Sequence, residues 1–194
     1  IFQTAGVDFG ILGVKERCCG SVLLRMGDRA SFENICKLNI DQFNELGIKK
    51  LVTSCAGCLK TIREDYAKVG KMNFQVQHTI EFIIELIKQG KLKFTKEVPL
   101  TVTYHDPCHL GRHAGVFDAP RELLSLLPGV KLVEMERNRE NSRCCGAGGG
   151  LKSGYPDMQN QISQKRVADA LATGATELVS ACPFCYQGLQ IGIQ

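Results

Sequence analysis

The chain has 194 residues, of which 44% are hydrophobic, and its formal net charge is +4. It contains ten cysteines and no tryptophan, and it has no basic cluster interleaved with aromatic residues, so we do not expect a nucleic-acid-binding protein. No apolar run is long enough to span a bilayer, which predicts that no transmembrane helix is present. The length allows one large domain or two small ones, each with a hydrophobic core.

The first half of the chain predicts helices that alternate with a short strand. Residues 31–46 have helical apolar periodicity and end before Gly47, a residue type that often follows a helix. Residues 50–53 are predicted as a strand and residues 58–68 as a helix, and Thr79 is the predicted N-cap of a further helix. The predicted apolar face of the first helix contains Phe32, Ile35, Cys36, Phe43 and Leu46.

The second half predicts the same alternation. Residues 100–104 are predicted as a strand, and Asp106 and Pro107 as the N-cap and first residue of a helix that contains Cys108. Strands that alternate with helices predict an α/β fold with mainly parallel sheets. The remaining predictions are a loop at residues 134–150, a helix at 157–173, a strand at 177–180 and a final helix that begins near Pro183.

Nine of the ten cysteines form two copies of one spacing pattern, in which a Cys-Cys-Gly sequence is followed much later by a Cys-x-x-Cys sequence. The copies are offset by 126 residues at the Cys-Cys pairs (144 − 18) and by 127 residues at the Cys-x-x-Cys pairs (182 − 55). Such an offset indicates an internal repeat. The first copy contains Cys18, Cys19, Cys55 and Cys58, and the second contains Cys108, Cys144, Cys145, Cys182 and Cys185.

The repeat predicts two domains, a first repeat at residues 1–95 and a second, complete repeat at residues 96–194. The counterpart of Cys108 would lie upstream of Ile1 (108 − 126 = −18), so we expect the first repeat to be truncated and to lack its first cysteine. Each Cys-x-x-Cys sequence follows a predicted strand and precedes a predicted helix. The cysteines are therefore expected at strand-to-helix junctions, where open α/β sheets bind ligands.

The grouping of the cysteines favours metal binding or redox chemistry in a reducing compartment over secreted disulfides. A structural zinc ion takes four ligands, whereas the second copy offers five thiols, two of them adjacent, which suits a polynuclear iron–sulfur cluster. The spacing alone leaves iron–sulfur, zinc and thiol–disulfide chemistry open. Cys36, outside both copies, is predicted to be a core residue.

The sequences around these cysteines resemble those of the CCG, or cysteine-rich, domain family, and in particular the D-type and B-type catalytic subunits of heterodisulfide reductases. The resemblance implies two similar Rossmann-like lobes related by pseudo-symmetry, with a non-cubane [4Fe–4S] cluster in each complete motif and therefore up to two clusters. The matching sequences are CCGSVLLRMGD (18–28), SCAGC (54–58), YHDPCHLGRH (104–113), RCCGAGGG (143–150) and ACPFC (181–185).

The resemblance also implies ligands and an activity. The activity would be reduction of a disulfide, of the coenzyme M–coenzyme B heterodisulfide type, in a cavity shared by the two clusters. His109 and His113 are candidate catalytic residues that would donate protons or hydrogen bonds, with structural hydrogen bonds as the alternative. Cys108, Cys144, Cys145, Cys182 and Cys185 would ligate one cluster, and Cys18, Cys19, Cys55 and Cys58 would supply four of the five ligands of the other.

Two other functions stay open. One is an electron-relay iron–sulfur subunit of a glycolate, lactate or glycerol-3-phosphate oxidising complex, and the other is a non-catalytic structural zinc module. Zinc is also expected in apo or recombinant material. For a reductase the expected partners are a disulfide substrate and an electron-donating redox subunit of ferredoxin-like, flavoprotein or cytochrome type. The expected setting is the cytoplasm of an anaerobe, in metabolism related to methanogenesis, with any membrane association provided by a partner subunit.

Polar residues near the motifs have less specific predictions. His105 and Asp106 are predicted to cap and position the segment before Cys108. Residues 146–150 lack the Rossmann glycine spacing and are predicted to wrap their backbone around a cluster. Candidate residues for binding anionic substrate groups are Arg25, Arg112 and Lys152.

Overall fold

The computed structural model describes residues 1–194 and shows an α/β fold with two small sheets. One sheet contains β1 and β2, and the other has the strand order β4-β3-β5. All pairings are parallel, which confirms the predicted α/β class with parallel sheets. The strands are β1 (Lys50–Thr53), β2 (Gln75–His78), β3 (Leu100–His105), β4 (Val130–Leu132) and β5 (Glu177–Ser180).

Helices connect the strands, as parallel pairing requires. The predicted helix at residues 58–68 is present but irregular, because α3 continues into a π-helical turn (Thr61–Asp65) and a 3-10 turn (Tyr66–Lys68). No helix is both long and apolar enough to cross a membrane. The helices are α1 (Ser21–Met26), α2 (Arg29–Glu45), α3 (Ala56–Lys60), α4 (Thr79–Lys88), α5 (Asp118–Ser125), α6 (Leu151–Gly154), α7 (Pro156–Leu171) and α8 (Pro183–Ile193).

Helix α4 is capped by His78 and not by Thr79, so that prediction was wrong by one residue. The Nδ1 atom of His78 accepts a hydrogen bond from the Ile80 N–H at 3.2 Å, and the Glu81 carboxylate accepts one from the His78 N–H at 2.9 Å. These reciprocal bonds form a capping box. His78 can take this place because β2 ends there in extended backbone, the conformation that an N-cap residue needs.

No helix begins at Asp106, so the predicted capping role of Asp106 was wrong, and residues 108–114 form turns. Gly115 has a φ of 70°, which reverses the chain before a regular helix develops. The Asp106 carboxylate instead accepts hydrogen bonds from the Arg121 guanidinium at 2.8 and 3.0 Å and from the Arg139 N–H at 2.8 Å. Because a buried carboxylate must be paired, these long-range bonds outweigh local capping.

Helices α2 and α7 have equivalent burial patterns. Each buries five residues, and every buried residue of α2 has a buried counterpart 127 positions later in α7 (for example 166 − 39). This offset equals that of the Cys-x-x-Cys pairs and supports the repeat, while the division of the chain at residue 95 stays a prediction. Leu46, predicted on the apolar face, is 55% exposed because it lies beyond the end of α2. The pairs are Phe32/Gln159, Cys36/Ser163, Asn39/Arg166, Ile40/Val167 and Phe43/Ala170.

The largest buried hydrophobic cluster contains residues from both repeats. Ala56 and Leu59 of α3 pack in this cluster with Leu110, Val167 and Leu189 from the second half of the chain. The same cluster includes Cys145, Cys182 and Cys185. The two halves therefore share a core, and that core surrounds part of the cysteine set.

Candidate metal centre

Nine cysteines line one cavity with a volume of about 370 Å³, and they are the nine that the spacing pattern identifies. Gly148 and Gly149 of the glycine-rich loop, His109 and Arg17 also line this cavity. The tenth cysteine, Cys36, is fully buried in the hydrophobic cluster around α2, as predicted for a core residue.

The Cys-x-x-Cys sequences lie at strand-to-helix junctions. Cys55 follows β1 at the N-cap of α3, and Cys182 follows β5 at the N-cap of α8. The backbone N–H groups of Cys58 and Cys185 favour lower pKa values for Cys55 and Cys182, respectively. At Cys182 hydrogen bonds from neighbouring thiols and from backbone N–H groups at helix N-termini lower the pKa to about 2, whereas the hydrogen bond with Cys182 raises the pKa of Cys55 to about 11.

The glycine after each Cys-Cys pair is required by the backbone. Gly20 and Gly146 have φ values of 74° and 78°, a region that glycine adopts without steric strain. Their N–H groups donate to the Sγ atoms of Cys18 and Cys144 at 3.4 and 3.3 Å. A Cβ atom at Gly146 would lie 3.0 Å from the backbone oxygen of Gln159. The close approach of this loop to α7 therefore excludes larger residues.

The nine cavity cysteines form one continuous series in which each thiol influences the pKa of the next or lies in contact with it. The Sγ atoms of Cys19 and Cys58 are 3.1 Å apart, and those of Cys145 and Cys185 are 3.3 Å apart. The repeats meet at Cys55 and Cys182, which line the same cavity and lie close enough to shift each other's pKa, so the two candidate sites are adjacent. The order of neighbouring thiols in this series is Cys108, Cys144, Cys145, Cys185, Cys182, Cys55, Cys58, Cys19 and Cys18.

Hydrogen bonds between neighbouring thiols lower the pKa of one sulfur in each site and raise the pKa of the thiols that donate to it. Bonds donated by Cys108 and Cys145 lower the pKa of Cys144 to about 2. In the first repeat, a bond donated by Cys58 lowers the pKa of Cys19 to about 7. Thiolates are the protonation state that binds metal ions. Each site thus contains a sulfur that is ready to act as a ligand.

The donor set fits an iron–sulfur cluster. The second copy contributes five sulfur atoms to one cavity, more than the four ligands of one structural zinc ion. Cysteine thiolates are the usual ligands of iron–sulfur clusters.

The two candidate catalytic histidines occupy different positions. His109 lines the cavity, and its Nδ1 atom is 3.5 Å from the Sγ atom of Cys108. His113 is exposed and lies outside the cavity lining, with its ring centroid 5.1 Å from that of His109. Burial lowers the pKa of both histidines, and nearby Arg25 adds to this effect. The structure therefore places His109 at the cavity and His113 outside the cavity lining.

The cations proposed to bind substrate anions have protein partners instead. Arg25 pairs with Asp65 at 3.2 Å, Arg112 donates to backbone oxygens, and Lys152 donates to a glutamine side chain. None of the three lines the cavity. Sequence reasoning missed Arg17, which does line it and directly precedes the first Cys-Cys pair.

Sequence reasoning also misplaced His105, which caps no helix. It ends β3 and is 1% exposed, and one of its ring nitrogens lies within 4.8 Å of the sulfur atoms of Cys145 and Cys185. Arg166 donates a hydrogen bond to its Nδ1 atom at 3.0 Å. Burial, followed by the charge of Arg166, lowers the pKa of His105 to about 4, so the ring is neutral near pH 7.

A protein-family model described as a cysteine-rich (CCG) domain matches residues 1–63 and 102–190 of the chain. The D-type subunit of the dihydromethanophenazine:CoB–CoM heterodisulfide reductase of Methanosarcina mazei is 48% identical, over 99% of this chain and 48% of that relative. The probable iron-sulfur-binding oxidoreductase FadF of Bacillus subtilis is 41% identical, over 95% of this chain and 26% of that protein.

A third relative is the EtfAB:quinone oxidoreductase of Syntrophomonas wolfei, which is 34% identical over the whole chain and 28% of its own length. The chain spans about half, or less, of the length of these curated relatives.

Proposed function

From the premise that the chain belongs to the CCG cysteine-rich domain family, we propose that it is the cluster-bearing core of a disulfide-reducing iron–sulfur oxidoreductase. Its relationship to the D-type heterodisulfide reductases makes it an iron–sulfur oxidoreductase of that group. The observation that carries the disulfide proposal is the single cavity lined by both cysteine motifs. Its volume of about 370 Å³ is the space that the proposed clusters and the substrate would share.

The proposed cofactors are non-cubane [4Fe–4S] clusters, one at each motif. Support comes from the five sulfurs of the second motif that line one cavity, because a single four-coordinate metal ion would leave one of them unused. The proposed ligands are Cys108, Cys144, Cys145, Cys182 and Cys185 at one site and Cys18, Cys19, Cys55 and Cys58 at the other.

The proposed reaction is RS–SR′ + 2e⁻ + 2H⁺ → RSH + R′SH, with electrons from a partner redox protein. Bound clusters supply one-electron carriers at the cavity wall. The proximity of Cys55 and Cys182 in the lining of one cavity supports two adjacent motifs, from which both sulfurs of one disulfide would be reached. His109 would relay a proton to a departing thiolate, and the exposed His113 would exchange protons with water.

The name of the D-type relatives suggests the coenzyme M–coenzyme B heterodisulfide as the substrate. We propose this substrate for the protein as a whole. We further propose a division into repeats at 1–95 and 96–194 and an electron-donating partner of ferredoxin-like, flavoprotein or cytochrome type. The proposed setting is the cytoplasm of an anaerobe, with membrane contact through a partner.

The first test measures iron, acid-labile sulfide and zinc in anaerobically purified protein, followed by viologen-coupled reduction of the heterodisulfide. We expect near-equal iron and sulfide, and turnover of the substrate. Cys182→Ser should lower turnover by about tenfold or more, as the loss of a ligand at a metal site does. Cys36→Ala is the matched control, since it removes a buried thiol outside the cavity and should retain cluster content.

The outcomes separate the candidate functions. Clusters without disulfide turnover would favour an electron-relay subunit, a role for which the quinone oxidoreductase relative gives a precedent. Zinc without sulfide after anaerobic reconstitution would contradict the proposal and favour a structural zinc module.

A further inference from the structure

A buried histidine and a buried arginine lie directly behind the second cysteine motif. His105 ends β3, Arg166 lies in the middle of α7, and both side chains are at most 1% exposed. A ring nitrogen of His105 is within 4.8 Å of the sulfur atoms of Cys145 and Cys185. No direct hydrogen bond joins His105 to either sulfur, but the distance is short enough for contact with a group that the two sulfurs hold.

The arginine determines which nitrogen of His105 carries the proton. A guanidinium N–H can only donate, and the Nε atom of Arg166 is 3.0 Å from the Nδ1 atom of His105. Nδ1 must therefore accept with its lone pair, which leaves the proton of the neutral ring on Nε2. Arg166 is held in place by bonds from Nη1 to the Arg137 carbonyl oxygen at 2.7 Å and to Asp169 at 3.3 Å.

The direction of the hydrogen bond between Arg166 and His105 argues against a role for His105 as a metal ligand. A metal-binding histidine donates its second ring N–H to an acceptor, whereas here that nitrogen accepts from a cation. The free nitrogen, Nε2, carries a hydrogen and has no hydrogen-bond partner in the protein although it is fully buried. Buried donors in native proteins almost always have an acceptor, so a bound group is expected to provide one.

We propose that His105 donates an Nε2–H hydrogen bond to the sulfur shell of the cluster at the second motif and thereby raises its reduction potential, with Arg166 fixing the donor. The inference rests on the proposed function, because it requires a cluster at Cys145 and Cys185. Reduction adds negative charge to the cluster, and a hydrogen bond to its sulfur atoms stabilises that charge. His105 and Arg166 are therefore positioning residues and neither ligands nor catalytic residues.

The first repeat has a different residue at the position equivalent to Arg166. Asn39 lies 127 positions earlier, and its amide donates to the Tyr66 hydroxyl at 2.8 Å and to the Cys18 carbonyl oxygen at 3.0 Å. This amide is neutral and satisfied within the protein. The two sites therefore differ in the groups behind the cysteines, because Arg166 fixes a histidine donor at the second site, and we expect the second site to have the higher reduction potential.

The test compares His105→Leu, which removes the donor, with His105→Gln, whose amide can accept from Arg166 and still donate. Both are purified anaerobically with the wild type, analysed for iron and sulfide, and titrated under EPR detection. We expect unchanged iron and sulfide in both variants. The potential of one cluster should fall by about 59 mV in His105→Leu, which is a tenfold change in its reduced-to-oxidised ratio, and should be largely restored in His105→Gln.

A spectroscopic measurement on the wild type keeps the test independent of variant folding. Protein containing 15N-labelled histidine should show a weak nitrogen coupling to the reduced cluster, as expected across a hydrogen bond. A strong coupling from a directly bound nitrogen, or the loss of iron in both variants, would show that His105 is a ligand and overturn the inference. An unchanged potential in His105→Leu would overturn it as well.

The failure of this inference can be distinguished from failure of the proposed function. Wild-type protein without iron and sulfide would overturn both. Wild-type protein that contains clusters but shows no histidine coupling would overturn the inference alone.

Discussion

Among individual side chains, the buried polar groups behind the first motif are bonded to one another. Tyr66 is fully buried, accepts a hydrogen bond from Asn39 at 2.8 Å and donates one to the Cys19 carbonyl oxygen at 3.0 Å. Asn39 also donates to the Cys18 carbonyl oxygen at 3.0 Å. These bonds connect α2 and the 3-10 turn at residues 66–68 to the Cys-Cys pair, and they hold its backbone in place.

Replacing Tyr66 by phenylalanine should lower the free energy of unfolding by about 1–3 kcal/mol, because the buried Asn39 amide and the partly buried Cys19 carbonyl each lose a partner. Anaerobic denaturant titration measures this change. Tyr186→Phe is the matched control, since Tyr186 is 60% exposed and its change should be within about 0.5 kcal/mol of zero. Equal effects of the two substitutions would contradict the role assigned to the Tyr66 hydroxyl.

At the level of helices and strands, a strand-to-helix junction next to the cysteines depends on the protonation state of one histidine. His78 joins β2 to α4, its Nδ1 atom accepts from Ile80, and its Nε2 atom is 3.2 Å from the Ser54 carbonyl oxygen. Both contacts are satisfied by a neutral ring that is protonated on Nε2. Burial lowers the pKa of His78, which is consistent with this neutral form.

The capping role predicts a pH dependence. Because the folded pKa of His78 is below the unfolded value of about 6.5, the unfolded state binds a proton more readily, and the free energy of unfolding falls as the pH falls below about 6.5. His78→Asn keeps a capping side chain without titrating and should flatten this decline in anaerobic denaturant titrations. Thr79→Ala is the control and should keep the wild-type slope. An identical slope in His78→Asn would exclude His78 as the source.

For the molecule as a whole, the shared core and the shared cavity are the same region. The largest hydrophobic cluster combines Ala56 and Leu59 with residues of the second repeat, and it includes three cavity cysteines. Ligands of a bound cluster would therefore belong to several elements from both halves of the chain. Binding of a metal group at such a position stabilises the native state of the whole chain.

Removal of iron should consequently destabilise the protein globally. Treatment with a chelator under oxidising conditions, followed by removal of reagents and re-reduction, is expected to lower the unfolding free energy by about 4 kcal/mol or more. Hydrogen exchange should report increased opening in α3, α8 and the loop at residues 134–150. An apo-protein with the stability and exchange pattern of the purified form would contradict a structural contribution of the cluster.

The sequence alone predicts the parts of this protein that depend on local chemistry. The repeat, the nine cysteines and the strand-to-helix junctions at Cys55 and Cys182 follow from spacing and periodicity, because strand and helix propensities act over a few residues. The family resemblance adds specificity, since the residues between the cysteines also match. These predictions identify the chemical class of the candidate metal site before any tertiary contact is known.

The tertiary structure was needed wherever distant residues compete with a local preference. Asp106 pairs with Arg121 and with the Arg139 backbone, so the expected helix start is replaced by turns. Cys55 meets Cys182 across the repeats, and Arg166 reaches His105 over 61 residues of sequence. No periodicity encodes such contacts, because they arise when packing brings two elements together and burial then requires every polar group to find a partner.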